Sequence, residues 1–157
     1  MSKICCLTGH REIKKTRPSE VIVKLENTLV DLIENEEFTD FRTGGAKGFD
    51  TIAATTIIKL KKKYPHIKLH LFLSHKNQSS DFSHVEKQVY DFILKSADSV
   101  QYTSQNYYDG VFLARDRQLV DGSDICVALL ETLSGGTYYT VNYARKQKIP
   151  VHNITRK

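Results

Sequence analysis

An α/β fold, with a mainly parallel sheet and helices on both of its faces, is what this sequence predicts. Three observations carry that expectation. Short apolar runs alternate with stretches of helical periodicity along the chain. One run, Ile125 to Leu130, is apolar at six consecutive positions, which is how a strand reads when both faces are buried. Three apolar runs lead into glycine turns, at Thr8-Gly9-His10-Arg11, at Thr43-Gly44-Gly45-Ala46-Lys47-Gly48 and at Gly135-Gly136-Thr137. A doubly wound sheet gathers such turns in one crevice at the carboxyl ends of its strands.

Taken in order, Lys3 to Leu7 is the first expected strand, ended by Gly9-His10-Arg11. Residues 12–17 are basic and polar and read as a loop. Pro18-Ser19-Glu20 opens a helix, with proline in the first turn and an acid near the positive dipole end. Val21, Leu25, Leu29, Leu32 and Ile33 give it an apolar stripe. Phe38 to Arg42 is a short strand leading into the second glycine turn. Phe49, Ile52, Ala53, Thr56, Ile57, Leu60 and Tyr64 then recur at helical spacing, and Pro65 ends that helix. Ile67 to Leu73 is the third strand. A polar loop, 74–83, precedes a helix faced by Val85, Val89, Phe92, Ile93 and Ala97. Asp98 to Tyr102 is a short strand, 104–110 a loop bearing tyrosines, and Val111 to Val120 a helix carrying Arg115 and Arg117. After the Ile125–Leu130 strand and its turn, a helix is expected over Tyr138 to Lys148. Lys148 to Ile154 is an edge strand in which Pro150 is permitted.

The bulk properties set bounds. At 157 residues the chain is expected to form one domain, 1–157, large enough for a sizeable core. No apolar run approaches a membrane span and no signal peptide is visible, so a cytoplasmic protein is expected. Cys5, Cys6 and Cys126 lie in apolar runs without a CxxC pair and read as buried free thiols. Adjacent Cys5 and Cys6 are expected to point to opposite faces of a strand, which argues against a shared metal. The histidines show no zinc-ligand spacing, and neither HExxH nor GxSxG occurs, so no metal and no hydrolase triad is expected. The net charge of +5 suits phosphate-bearing ligands or nucleic acid without choosing between them. Its densest run, Lys59 to Lys63, ends a helix, where cations are favourable in any case.

Gly135-Gly136-Thr137 reads either as a tight turn or as an anion site. The first N–H groups of a helix lack internal partners, its dipole favours negative charge, and glycine lets a phosphate approach the backbone. Thr137 caps the helix, bonds a phosphate oxygen, or does both. The sequence is neither a Walker A loop nor GxGxxG. Gly44, Gly45 and Gly48 shape the second turn, with Gly48 placed for close backbone approach. Asp50 follows in a first helical turn, either as a capping acid or as an acceptor for a ribose hydroxyl or base. Gly9 and His10 form the first turn, and Arg11 after it is a surface residue or a bidentate phosphate clamp. Arg115 and Arg117, two apart on a helix, cannot both enter one crevice. Tyr107 and Tyr108 either stack on a nucleobase or pack on the sheet edge.

Thr8-Gly9-His10-Arg11, Gly44-Gly45-Ala46-Lys47-Gly48-Phe49-Asp50, Val120-Asp121-Gly122-Ser123-Asp124 and Gly135-Gly136-Thr137, in that order and spacing, resemble the SLOG superfamily. That group contains the DNA-processing protein DprA and the Lonely Guy cytokinin-activating enzymes. The YpsA-like branch matches best, over nearly the whole chain. The resemblance implies a single Rossmann-like domain that binds a nucleotide or nucleotide-derived ligand across its glycine turns. No cofactor is expected. Lonely Guy enzymes cleave the base from a nucleoside monophosphate with an arginine and a glutamate. Arg115, nine residues before Asp124, matches the arginine. Tyr138, Tyr139, Thr140 and Val141 stand where the glutamate is expected, and none is acidic. The expected function is therefore binding or sensing of a nucleotide-type small molecule. Phosphoribohydrolase-type cleavage, with Arg115 and Asp50 as catalytic candidates, and single-stranded nucleic-acid binding stand as alternatives. A homodimer and no membrane partner are expected.

Overall fold

The computed structural model describes residues 2–155. Eleven elements alternate along them: β1 (Ile4–Gly9), α1 (Pro18–Glu36), β2 (Asp40–Thr43), α2 (Phe49–Lys61), β3 (Lys68–Leu73), α3 (His84–Ser96), β4 (Ser99–Tyr102), α4 (Val111–Val120), β5 (Ile125–Leu129), α5 (Gly135–Lys146) and β6 (Val151–Asn153). The six strands form one sheet in the order β4-β3-β2-β1-β5-β6, and every pairing is parallel. This is the Rossmann-like α/β architecture.

Each element follows from its residues. The α1 stripe Val21, Leu25, Leu29, Leu32 and Ile33 is buried, and it packs with α2 and α3 against the face of the sheet carrying Leu7, Phe41, Leu69 and Leu71. The opposite face carries α4 and α5 over Cys6 and Cys126. Cys5 and Cys6 do point to opposite faces, and all three cysteines are free and buried. A capping box starts α3, with Ser83 Oγ accepting from Glu86 N–H at 3.2 Å and Glu86 Oε1 accepting from Ser83 N–H at 2.7 Å.

Most element boundaries shift by one to three residues from the sequence reading, as β2 does to Asp40–Thr43, and three of the shifts have a visible cause. Strand β1 runs past Leu7 through Gly9, because Thr8 and Gly9 pair with Ala128 and Leu129 of the buried neighbour β5. Helix α5 starts at Gly135 rather than Tyr138, so the two glycines form its first turn instead of a loop before it. Strand β6 is confined to Val151–Asn153, since Lys148 takes a positive φ of 61° and breaks the extended chain.

The strand order places the site. From β1 the chain winds outward through β2, β3 and β4, then returns to the other side of β1 with β5. The connections after β1 and β5 therefore leave in opposite directions, and a crevice opens between them at the carboxyl ends. The first two turns are locked back to back beside it. His10 O accepts from Phe49 N–H at 3.1 Å. Gly48 holds φ 73° and ψ −120°, and a Cβ there would stand 2.2 Å from Arg11 O. The close approach that Gly48 permits is thus between two backbone segments. Gly48→Ala is expected to cost about 2 kcal/mol or more of unfolding free energy, from the strained backbone and the contact together. Urea titration checks this, and a loss under about 0.5 kcal/mol, an ordinary surface effect, contradicts it.

Candidate functional site

A cavity of about 230 Å³ occupies the crevice. The first turn contributes Gly9, His10 and Arg11, the second Gly44 and Asp50, and the third Gly136 and Thr137, with Arg115 entering from α4. Those eight sequence candidates share one cavity. Gly45, Gly48 and Gly135 do not line it. Gly45 has φ +70° and packs against Leu73 and Gln78, Gly48 abuts Arg11, and a Cβ at Gly135 would meet open space.

Arg115 is buried at 7% exposure. Its Nη1 donates to Gly44 O at 2.6 Å, and its Nε donates to Asp116 Oδ1 at 2.9 Å. One turn of the crevice is therefore pinned by an arginine from the opposite helix. Arg117 points out and donates from Nη1 to Tyr139 Oη at 2.9 Å. Only one of the pair enters, as their spacing requires.

Asp50 sits buried in the first turn of α2 and makes no cap bond to that helix. Its Oδ2 accepts from Ala46 N–H at 3.1 Å, closing the second turn, and the carboxyl also lines the cavity. Burial pushes its pKa up to about 6, against the pull of Arg115 and the Ala46 N–H. Asp116 is raised as well, again by burial and against Arg115. Two carboxyl groups that resist ionisation thus flank one guanidinium in the same cavity.

The α5 N-terminus completes the wall. Ser134 occupies the N-cap and makes no side-chain cap bond, while Thr137 is the third helical residue and does not cap. Thr140 Oγ1 donates to Gly136 O at 2.8 Å. The opening N–H groups of α5 are left uncapped by any side chain, at the positive end of the helix dipole.

The first turn is fixed by a latch. His10 Nε2 accepts from Glu131 N–H at 2.8 Å, which places the neutral ring's proton on Nδ1. Burial lowers the His10 pKa, with Glu131 opposing. The Glu131 carboxylate accepts from Lys14 N–H and Lys15 N–H, both at 2.9 Å, and from Thr16 Oγ1 at 3.1 Å. Loop 12–17 is thereby tied to the loop after β5. Arg11 stays half exposed in a 3.6 Å pair with Asp81. Such an exposed pair holds the side chain weakly, so Arg11 is free to turn toward an anion.

Several lining residues escaped the sequence reading. Gln78 lies in the aperiodic loop, yet its Nε2 donates to Gly44 O and Gly45 O at 3.3 and 3.2 Å. Its Oε1 accepts from Ser74 N–H at 2.6 Å. Phe112 and Phe82 form the aromatic wall. Tyr107 and Tyr108 are exposed, and Tyr107 packs edge-on against His75 at 5.7 Å. Asp116 had one available signal, its adjacency to Arg115. Among the described residues no group of three or more His, Cys, Asp or Glu is placed to hold a metal ion. No helix among them is long and apolar enough to cross a membrane.

Comparison with known proteins bears on this arrangement. The family model for YpsA, described as the YspA SLOG family, matches residues 5–156. The uncharacterized SPbeta prophage-derived protein YoqJ of Bacillus subtilis is 32% identical over 135 residues, covering 78% of this chain and 79% of that protein. A UPF0398 protein of Brevibacillus brevis is 32% identical over 111 residues, 68% of this chain and 58% of its own length. Among solved structures, DprA from Streptococcus pneumoniae superposes with a TM-score of 0.71 at 18% identity, over 96% of this chain. DprA from Helicobacter pylori, whose structure was described for its single-stranded DNA binding mode, superposes with a TM-score of 0.64 at 19% identity, over 95% of this chain. The chain spans 49% and 63% of those two proteins. At such identities the likeness is one of fold.

Proposed function

This chain belongs to the YspA SLOG family, and from that premise we propose that it binds a nucleotide or nucleotide-derived ligand in the cavity between its three glycine turns. The observation that carries the reading is the side-chain-uncapped α5 N-terminus opening on the same cavity as buried Arg115 and Asp50. A phosphate fits the Gly136 and Thr137 N–H groups, with Arg11 turning in to neutralise it. Asp50 accepts from a ribose hydroxyl, and the base lies against Phe112 and Phe82. Arg115 has its Nε and Nη1 committed to Asp116 and Gly44, so its main part is to hold the crevice in shape.

The test is mass spectrometry of the purified protein, native first and then denatured to release small molecules. A phosphorylated nucleoside derivative, retained at one per subunit, is the expected result. The native spectrum also reads the subunit count, for which two is proposed. No retained compound, and no thermal shift with a panel of nucleotides at millimolar concentration, sinks the reading.

One observation supports a second reading, N-glycosidic cleavage of a nucleoside monophosphate. The acid missing after Thr137 has two substitutes facing the cavity, Asp50 and Asp116. A carboxyl with pKa about 6 suits proton transfer near neutrality. Our expectation remains binding without cleavage at a meaningful rate. Multiple turnovers in a base-release assay, lost in Asp50→Asn, would replace it with the enzyme reading. Oligonucleotide binding that weakens steeply with salt would instead extend to this chain the single-stranded DNA binding described for Helicobacter DprA.

A further inference from the structure

Away from the cavity, near the amino ends of the strands, three side chains from adjacent strands meet on the sheet face. His70 of β3 stands between Asp40 of β2 and Ser99 of β4. Its Nε2 lies 2.7 Å from Asp40 Oδ2, and its Nδ1 lies 2.5 Å from Ser99 Oγ. The carboxylate settles the ring's tautomer. An ionised Asp40 only accepts, so Nε2 carries the proton and Nδ1 is left to accept from the Ser99 hydroxyl.

The parts are held firmly. Thr39 Oγ1 donates to Asp40 Oδ1 at 2.6 Å, so the carboxylate is oriented by a second bond. Asp98 Oδ2 accepts from Leu69 N–H at 2.8 Å and from Lys61 Nζ at 2.5 Å, which anchors the start of β4. Asp98 N–H donates to Leu69 O at 2.8 Å. In the parallel register that pairs Ser99 with His70, the Ser99 backbone N–H faces β3, so the side chain is the part of Ser99 that the surface offers. Ser99 is exposed, while Asp40 and His70 side chains are only 16% and 21% exposed.

We propose that Ser99 is a base-activated nucleophile, with His70 as its general base and Asp40 as the positioning residue, and that it accepts acyl groups from small activated esters. Such a constellation is recognised by geometry and roles rather than by chain order or local motif. Here the ring nitrogens are exchanged relative to the serine-hydrolase arrangement, with the carboxylate on Nε2 and the hydroxyl on Nδ1, but each atom performs the same task. The Ser99 Oγ–carbon bond forms as its proton passes to His70 Nδ1. The carbonyl oxygen takes up negative charge facing solvent, since Ser99 is exposed on the edge strand. The bond to the leaving oxygen then breaks, and the proton on Nδ1 goes to that oxygen. Water attacking the acyl-serine, deprotonated by the same nitrogen, restores the hydroxyl. The open position of Ser99 selects reactive, sterically small acyl donors.

The test uses p-nitrophenyl acetate on the full chain, following p-nitrophenolate release and mapping the acetyl group by peptide mass spectrometry. Acetyl on the peptide bearing Ser99 is expected, absent in Ser99→Ala. His70→Gln should slow it about 10²-fold or more, the usual contribution of a general base. Asp40→Asn offers an amide that donates to Nε2 and moves the ring proton to Nδ1. Nitrogen NMR of His70 should show that change of tautomer together with the slower acylation, a signature that mere loss of packing does not produce. Circular dichroism confirms that each variant is folded. The proposal is overturned if acetyl is found only on lysines, if Ser99→Ala releases p-nitrophenolate at the parent rate, or if His70→Gln leaves Ser99 acylation unchanged.

Discussion

Asp50→Asn is expected to make the ligand-free protein more stable at pH 7, by up to about 3 kcal/mol, while weakening ligand retention. The stability gain follows from the Asp50 pKa of about 6 in the fold, against 3.8 as its ordinary value. Between those values the folded protein binds the Asp50 proton and the unfolded chain does not. Its contribution is fully present below about pH 4 and is lost as pH rises through 6. Asparagine is neutral throughout and its Oδ1 still accepts from Ala46 N–H, so it keeps the turn without the ionisation cost. Asp116 acts in the same direction as Asp50. His10, whose pKa is lowered, acts in the opposite one, gaining stability as pH rises toward its ordinary value of 6.5. Chemical denaturation of parent and variant between pH 4.5 and 8 separates these effects, because only the Asp50 contribution disappears in the variant. A capping acid without a site role predicts the reverse, a variant less stable at every pH. A residue that costs stability and is supported by its surroundings is what a functional site contains.

Arg115 illustrates why a plain deletion is a poor probe of the same cavity. It holds Gly44 O and balances Asp116. Removing it leaves a buried carboxylate unpaired, which costs about 3–5 kcal/mol in comparable cases. Lost binding in Arg115→Ala would then report a collapsed crevice as readily as a lost contact. Asp50 is the cleaner position because its neutral isostere keeps its one backbone bond.

The sequence told most where physics is local. Helical periodicity located α1 and α2 with their buried faces, and six apolar residues in a row located β5. The periodicity located α3 but not its face: Val85 and Phe92 are exposed, and Tyr90 is buried beside Ile93, because its ring packs on Phe82 of the preceding loop. The three glycine turns were visible because glycine stands out against its neighbours. What they do was less visible. Gly45 and Gly48 serve backbone conformation and packing between two turns, and no local pattern distinguishes that from approach to a ligand. The α5 start at Gly135 was hidden because glycine is the poorest helix former after proline, so only tertiary packing places it in a helix. Asp116 and Gln78 become site residues through partners far away in the chain, Gly44 and Gly45 for Gln78 and the α5 start for Asp116. Such pairings depend on strand order, which pattern does not give.

Gly136→Asp should abolish phosphate-ligand binding and leave the fold intact. Gly136 is the second residue of α5 and has no positive φ. A Cβ there meets nothing closer than Asp116 Oδ2 at 3.9 Å. A side chain therefore fits, and an acid in a first helical turn is favourable by itself. The same carboxylate stands where an anion would approach the uncapped N–H groups. Losing two charge-assisted bonds of roughly 1.5–3 kcal/mol each, with like-charge repulsion added, amounts to a 10²-fold loss of affinity or more. Gly136→Ala fills similar space without charge and should retain most of the binding, so the pair separates electrostatics from bulk. Calorimetric titration with the nucleotide identified by mass spectrometry, beside thermal unfolding of both variants, gives the answer. A folded Gly136→Asp protein that binds as the parent does would place the phosphate elsewhere in the cavity. Asp116 adds a second check, because a phosphate near it raises its proton affinity further. Binding should be accompanied by proton uptake, so affinity in the parent should rise as pH is lowered into the range where Asp116 titrates in the fold. Asp116→Asn should flatten that dependence, and an affinity independent of pH in the parent would remove the phosphate from the neighbourhood of Gly136.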